Sequence, residues 1–125
     1  MKKQCFISFA LSDKEFVTIE IIPILNELNV NPVFELSSLL PGKTYQDAVS
    51  SQMYDSDFVL VIGTQKNNYQ KIEFDMSLAL GKPVIAVAAP GDAQYGTPGT
   101  IASLAYDPND KATFIAALMA AIEKI

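Results

Sequence analysis

Three neighbouring stretches decide the fold: Phe58-Val-Leu-Val-Ile-Gly63, Asn68-Tyr-Gln-Lys-Ile-Glu-Phe-Asp-Met-Ser-Leu-Ala-Leu80 and, after Gly81-Lys82, Pro83-Val-Ile-Ala-Val-Ala88. The first and third are short apolar runs rich in β-branched residues, the composition of strands covered on both faces. The middle stretch has helical period and is stopped by Gly81 just before Pro83. A strand, a helix and a strand in succession make a parallel pair joined by a right-handed crossover.

The same alternation extends in both directions. Further strands are predicted at Gln4 to Phe9, Pro32 to Leu36 and Ile101 to Tyr106. Helical period recurs from Lys14 to Leu28, where Phe16, Ile19, Ile22, Leu25 and Leu28 fall in step, from Tyr45 to Met53, and from Asn109 to Ile125. Ser12 or Asp13 is placed to cap the first helix. Five strands alternating with helices predict an α/β fold, a flavodoxin-like three-layer sandwich with a parallel sheet in the order 2-1-3-4-5 and helices on both faces. With 125 residues, half of them apolar, the whole chain 1–125 reads as a single domain. Its ending on a helix at Ile125 fits a small stand-alone protein and equally a domain cut from a larger protein with a sensor or oligomerisation module.

Composition removes several function classes. A net charge of −5 and a pI near 4.5 argue against nucleic acid as a direct partner, because displacing counterions from phosphates needs an excess of Lys and Arg. One Cys and no His exclude an intrachain disulfide, a Cys/His zinc set, and Ser-His-Asp or Cys-His nucleophiles, and no metal site is expected. Cys5, within an apolar run, reads as a buried small hydrophobe. The start Met1-Lys-Lys-Gln4 imitates a signal sequence, but its apolar stretch soon meets Ser12-Asp-Lys-Glu15 and offers no cleavage site. No run reaches membrane-spanning length, so no membrane partner is expected and a reducing cytoplasm is the default.

In open α/β sheets, ligands bind at the carboxyl ends of the strands where strand order reverses, here between strands one and three. The loop after strand one, Phe9-Ala-Leu-Ser-Asp-Lys14, has neither the Gly-x-Gly-x-x-Gly of a hydride-transfer dinucleotide fold nor a Ser/Thr/Gly-rich phosphate loop. Strand three runs into Gly63-Thr64 and has no aspartate to accept a phosphoryl group. The Gly/Pro-rich loop Pro90 to Gly99 reads as a long turning connection, with a phosphate cradle as the alternative. Glu73 follows the third loop. It lies four residues after Tyr69, so ring and carboxylate share one helix face a turn apart, a candidate sugar or cofactor site.

The order of motifs resembles that of Toll/interleukin receptor (TIR) domains across nearly the whole chain. Cys5-Phe-Ile-Ser-Phe-Ala-Leu-Ser-Asp13 resembles their first sequence box, and Ser37-Ser-Leu-Leu-Pro-Gly-Lys43 resembles the second, the BB loop. Asp55-Ser-Asp-Phe-Val-Leu-Val-Ile62 is similar to their third strand. Tyr69-Gln-Lys-Ile-Glu73 resembles the Trp-x-x-x-Glu element of TIR enzymes, and Ala79-Leu-Gly-Lys-Pro-Val-Ile85 their junction into strand four. Tyr stands at 69 for the usual Trp, Ser37 and Ser38 replace a common Arg-Asp pair, and no Phe-Trp third box is present. The pattern is closer to bacterial TIR domains than to receptors.

The resemblance implies an NAD+-consuming enzyme that cleaves the nicotinamide-ribose bond to give ADP-ribose or its cyclic form, in bacterial antiviral defence or signalling. NAD+ is then the substrate, with no further cofactor. Glu73 is implied as the catalytic carboxylate. Phe9 and Ala10 would line the nicotinamide pocket, Tyr69 would wall the ribose side, and Leu40, Pro41, Gly42 and Lys43 would form a lid with Lys43 toward a phosphate. Family habit implies a homo-oligomer or TIR–TIR assembly as the active form. Two alternatives stay open at this point: a non-catalytic TIR scaffold, and an enzyme similar to nucleoside deoxyribosyltransferases, whose carboxylate nucleophile and Gly-Lys-Pro-Val junction are alike.

Overall fold

The computed structural model describes residues 2–33, 45–63, 68–90 and 100–125. Five strands, β1 (Lys3–Ser8), β2 (Val30–Val33), β3 (Phe58–Ile62), β4 (Val84–Ala88) and β5 (Ala102–Ala105), form one sheet in the order β2-β1-β3-β4-β5. All pairings are parallel. The expected flavodoxin-like topology is therefore the observed one.

Strand β3 is buried at every position, and its alternating side chains feed two separate cores. Phe58, Leu60 and Ile62 join Cys5 and Ile7 of β1 under the first and last helices. Val59 and Val61 join Phe6 of β1 on the opposite face, with Val49, Met53 and Phe74 from α3 (Tyr45–Tyr54) and α4 (Asn68–Ala79). The period of two along β1 assigns Ser8 to the same face as Phe6.

The first helix is continuous but changes pitch. It begins as α1 (Lys14–Phe16), widens to a π turn (Val17–Ile21) and resumes as α2 (Ile22–Glu27). Pro23 accounts for the change. It lacks the N–H that an α ladder would use and its ring crowds the preceding turn, which the wider turn relieves. Asn29, at φ 61°, takes the left-handed conformation that ends the helix, and β2 starts on the next residue. This is why β2 begins at Val30 rather than at Pro32; the rest of the expected strand, 34–36, lies outside the described residues. Pro32 is tolerated because β2 pairs on one side only.

The expected cap of the first helix takes another form. Asp13 stands at the N-cap without a capping side-chain hydrogen bond, and the entry is a short 3-10 turn in which its N–H donates to the Ala10 carbonyl at 2.8 Å. The last helix, α5 (Lys111–Glu123), starts two residues later than its periodicity suggests. Asp110 caps it, accepting from the Thr113 N–H and hydroxyl, while Asp107 accepts the Asn109 N–H in the turn before it.

Helix α4 closes as the sequence requires. Lys82 N–H donates to the Ser77 carbonyl and Gly81 N–H to that of Leu78, a Schellman arrangement with Gly81 at φ 69°. A Cβ at Gly81 would meet nothing within 4 Å, so the cost of a side chain there is conformational alone. Gly81→Ala is expected to destabilise the protein by about 1 kcal/mol, and Gly81→Asn by less, measured as lowered urea midpoints at an unchanged m-value.

Candidate functional site

The C-terminal ends of β1 and β3, where strand order reverses, are tied together by one helix. Gln70, in the first turn of α4 and 1% exposed, donates its side-chain amide to the carbonyl of Ile62 at 2.6 Å and to that of Ser8 at 3.4 Å. Three residues on, Glu73 is 7% exposed and accepts the Ser8 hydroxyl on Oε1 at 2.5 Å. Ser77, one turn further along the same face, is buried and turns its hydroxyl back to the Phe74 carbonyl. The inner face of α4 therefore carries a polar row, Gln70, Glu73 and Ser77, where a covering helix ordinarily presents apolar residues.

Burial makes Glu73 unusual. Taking a carboxylate out of water costs several kcal/mol, and a hydrogen bond to a charged group returns only about 1.5–3 kcal/mol. The Ser8 hydroxyl returns part of that cost. Lys71 and Asp75, on the same helix, are exposed, as a helix surface ordinarily keeps its charges.

The other expected site residues are distributed as follows. Ala10 is buried just beyond β1. Phe9 is partly buried and packs against the core beneath the first and last helices, on the sheet face opposite Glu73. Tyr69 stands in the first turn of α4, and its side chain lies outside the described part of the structure. Leu40, Pro41, Gly42 and Lys43 lie outside the described residues, as does most of the loop 90–99. Ser8 and Gln70 had no assigned role in the sequence, although both lie inside quoted motifs. Ser8 was detectable as a hydroxyl on the core-facing side of an apolar strand, and Gln70 as a polar side chain three residues before Glu73.

A second polar cluster lies at the far edge of the sheet. Tyr106, just beyond β5, packs edge-on against Phe16 and Phe114 and donates its hydroxyl to Glu20 at 2.6 Å. Lys111 reaches the same Glu20 oxygen at 3.1 Å. The hydrogen bonds from Tyr106 and then Lys111 hold the Glu20 carboxyl below its usual range. Burial and the bond to Glu20 push the Tyr106 phenol up, and the bond to Glu20 raises Lys111. Every member is paired, which makes the cluster a clasp between the first and last helices. Among the described residues no group of three or more His, Cys, Asp or Glu could hold a metal, and no helix is long and apolar enough to cross a membrane.

The chain is thus a flavodoxin-like sandwich with a buried carboxylate at its switch point. No protein-family model matches the sequence, and no curated protein matches it significantly. Solved structures do share the fold. The TIR domain of the Toll-related receptor TRR-2 from Hydra magnipapillata superposes with a TM-score of 0.77 at 16% identity, covering 95% of this chain and 97% of that one. The 2-deoxyribosyltransferase of Bacillus psychrosaccharolyticus follows at 0.65 and 17%, covering 93% and 95%. A CMP N-glycosidase of Clostridium botulinum gives 0.63 at 18%, covering 93% and 97%. At such identities the likeness is one of fold.

Cys5 is wholly enclosed, and loss of solvation drives its thiol far above the usual range, with the Leu60 backbone opposing in part. It is no nucleophile. Native protein is expected to leave Cys5 unreacted with a chromogenic disulfide reagent over hours, whereas urea-unfolded protein titrates one thiol per chain; fast labelling of native protein contradicts this.

Proposed function

We propose that this chain is an NAD+ glycohydrolase or cyclase of the TIR type, acting through Glu73 as self-associated subunits in bacterial defence or signalling. The observation that supports it most is a helix glutamate withdrawn from water at the end of β1, beside the reversal of strand order. The chemistry suits a single carboxylate. The C1′–N bond breaks with its electron pair passing to the pyridinium nitrogen, so nicotinamide leaves neutral and needs no general acid. Positive charge moves to C1′ and the ribose ring oxygen, where a nearby carboxylate stabilises it more strongly than in the ground state. Water then adds at C1′ and releases a proton, giving ADP-ribose. Addition of a nitrogen of the substrate's own adenine instead gives the cyclic product.

In this reading Ala10 borders the nicotinamide, Tyr69 lies on the ribose side, and residues 40–43 close over the substrate with Lys43 near a phosphate. Subunit assembly completes the site.

A second reading is favoured by two structures of the same fold, one named for transfer of 2-deoxyribose and the other as an N-glycosidase of CMP. Under it, Glu73 serves cleavage of a nucleoside or nucleotide N-glycosidic bond and NAD+ is ignored. A non-catalytic scaffold is the third, in which Glu73 is dispensable.

Incubation of concentrated protein with NAD+, with and without a crowding agent, separates the three. Nicotinamide release is expected, and Glu73→Gln is expected to lower it by about 100-fold or more while far-UV circular dichroism and self-association are retained. Parallel reactions with deoxynucleosides plus a free base, and with CMP, test the second reading. Absence of nicotinamide under every assembling condition sinks the first.

A further inference from the structure

Ser8 is fully buried, lies on the α4 side of the sheet, and is bonded at both its ends to that helix. Its hydroxyl donates to Glu73 and its carbonyl accepts from Gln70. Gln70 also holds the Ile62 carbonyl, so one side chain grips the last residues of β1 and β3 together. The hydroxyl is thus fixed in place from behind, and the carboxylate cannot turn without breaking a buried hydrogen bond.

We propose that Ser8 is a positioning residue, with Gln70 as its support: the Ser8 hydroxyl orients the Glu73 carboxyl at the switch point and favours its ionised form. The catalytic meaning of this assignment rests on the glycosidase reading; the hydrogen bond from Ser8 to Glu73 does not. A hydrogen bond donated to the ionised form of a carboxyl favours that form. Removing it raises the pH at which Glu73 takes up a proton, and activity that needs the carboxylate is lost at a higher pH.

The titratable groups on the described elements around Glu73 are few. Facing α4, β1 presents Ser8 and Phe6, its Lys3 and Cys5 belonging to the opposite face by the strand alternation. Strand β3 carries no titratable side chain. On α4 itself Tyr69 precedes Glu73 by one turn and Lys71 and Asp75 are exposed, and α3 carries Tyr45, Asp47 and the exposed Tyr54.

The test is the pH profile of nicotinamide release for wild type, Ser8→Ala and Ser8→Cys, read beside the Glu73 carboxyl titration by carbon-13 NMR. The Glu73 signal is assigned by its disappearance in Glu73→Gln. In Ser8→Ala the acid limb and the Glu73 midpoint are both expected to rise by about one pH unit, so the rate deficit is about tenfold larger on the acid side than on the alkaline plateau. Ser8→Cys, with a weaker donor, is expected to fall between. A merely structural role lowers the rate by the same factor at every pH. An unmoved Glu73 midpoint, or a uniform rate loss, overturns the proposal. If wild type releases no nicotinamide, the glycosidase reading fails, and the Glu73 midpoint in Ser8→Ala still decides whether Ser8 sets its charge.

Discussion

Strand β3 must satisfy its backbone on both sides and its side chains on both faces. It is paired with β1 and β4 and lies beneath helices on either face, so no residue from Phe58 to Ile62 reaches water. A strand so placed has to be apolar, because any polar side chain there would need a partner inside the core. This constraint leaves polar side chains to its neighbours. The polar groups at the switch point come from the last residue of β1 and from the helix that follows β3.

The pair β1–β3 is fastened at both ends by side chains. At the N-terminal end Asp57 donates its N–H to the Gln4 carbonyl and accepts the Gln4 N–H on its carboxylate, both at 2.7 Å. At the C-terminal end Gln70 spans the two carbonyls. A gap that opened between these strands would misplace Ser8 by the same amount, and Glu73 with it. Under the proposed function positional accuracy matters, because a catalytic group displaced by an ångström loses much of its effect.

The parts of the fold that repeat were the parts legible in the sequence. Apolar runs such as Phe58 to Ile62 and a Gly-Lys-Pro stop at 81–83 carry their meaning locally, since period and backbone chemistry need no knowledge of the partner. Local competition explains the boundary shifts: Asn29 ends the helix so sharply that pairing starts at Val30, and a 3-10 entry does the work assigned to an Asp13 cap. Of the site, Glu73 was visible through its spacing and its motif. Ser8 and Gln70 were not, because their importance lies in partners 65 and 62 residues away along the chain and no periodicity announces such a meeting.

The edges of the sheet bear on how copies of this chain can come together. β2 forms one margin with a proline at its third position, and β5 forms the other with only four residues, followed by the clasped Tyr106. An incoming strand would find a missing donor at one margin and a short ladder at the other. Extension of the sheet from molecule to molecule is disfavoured at both of the described margins.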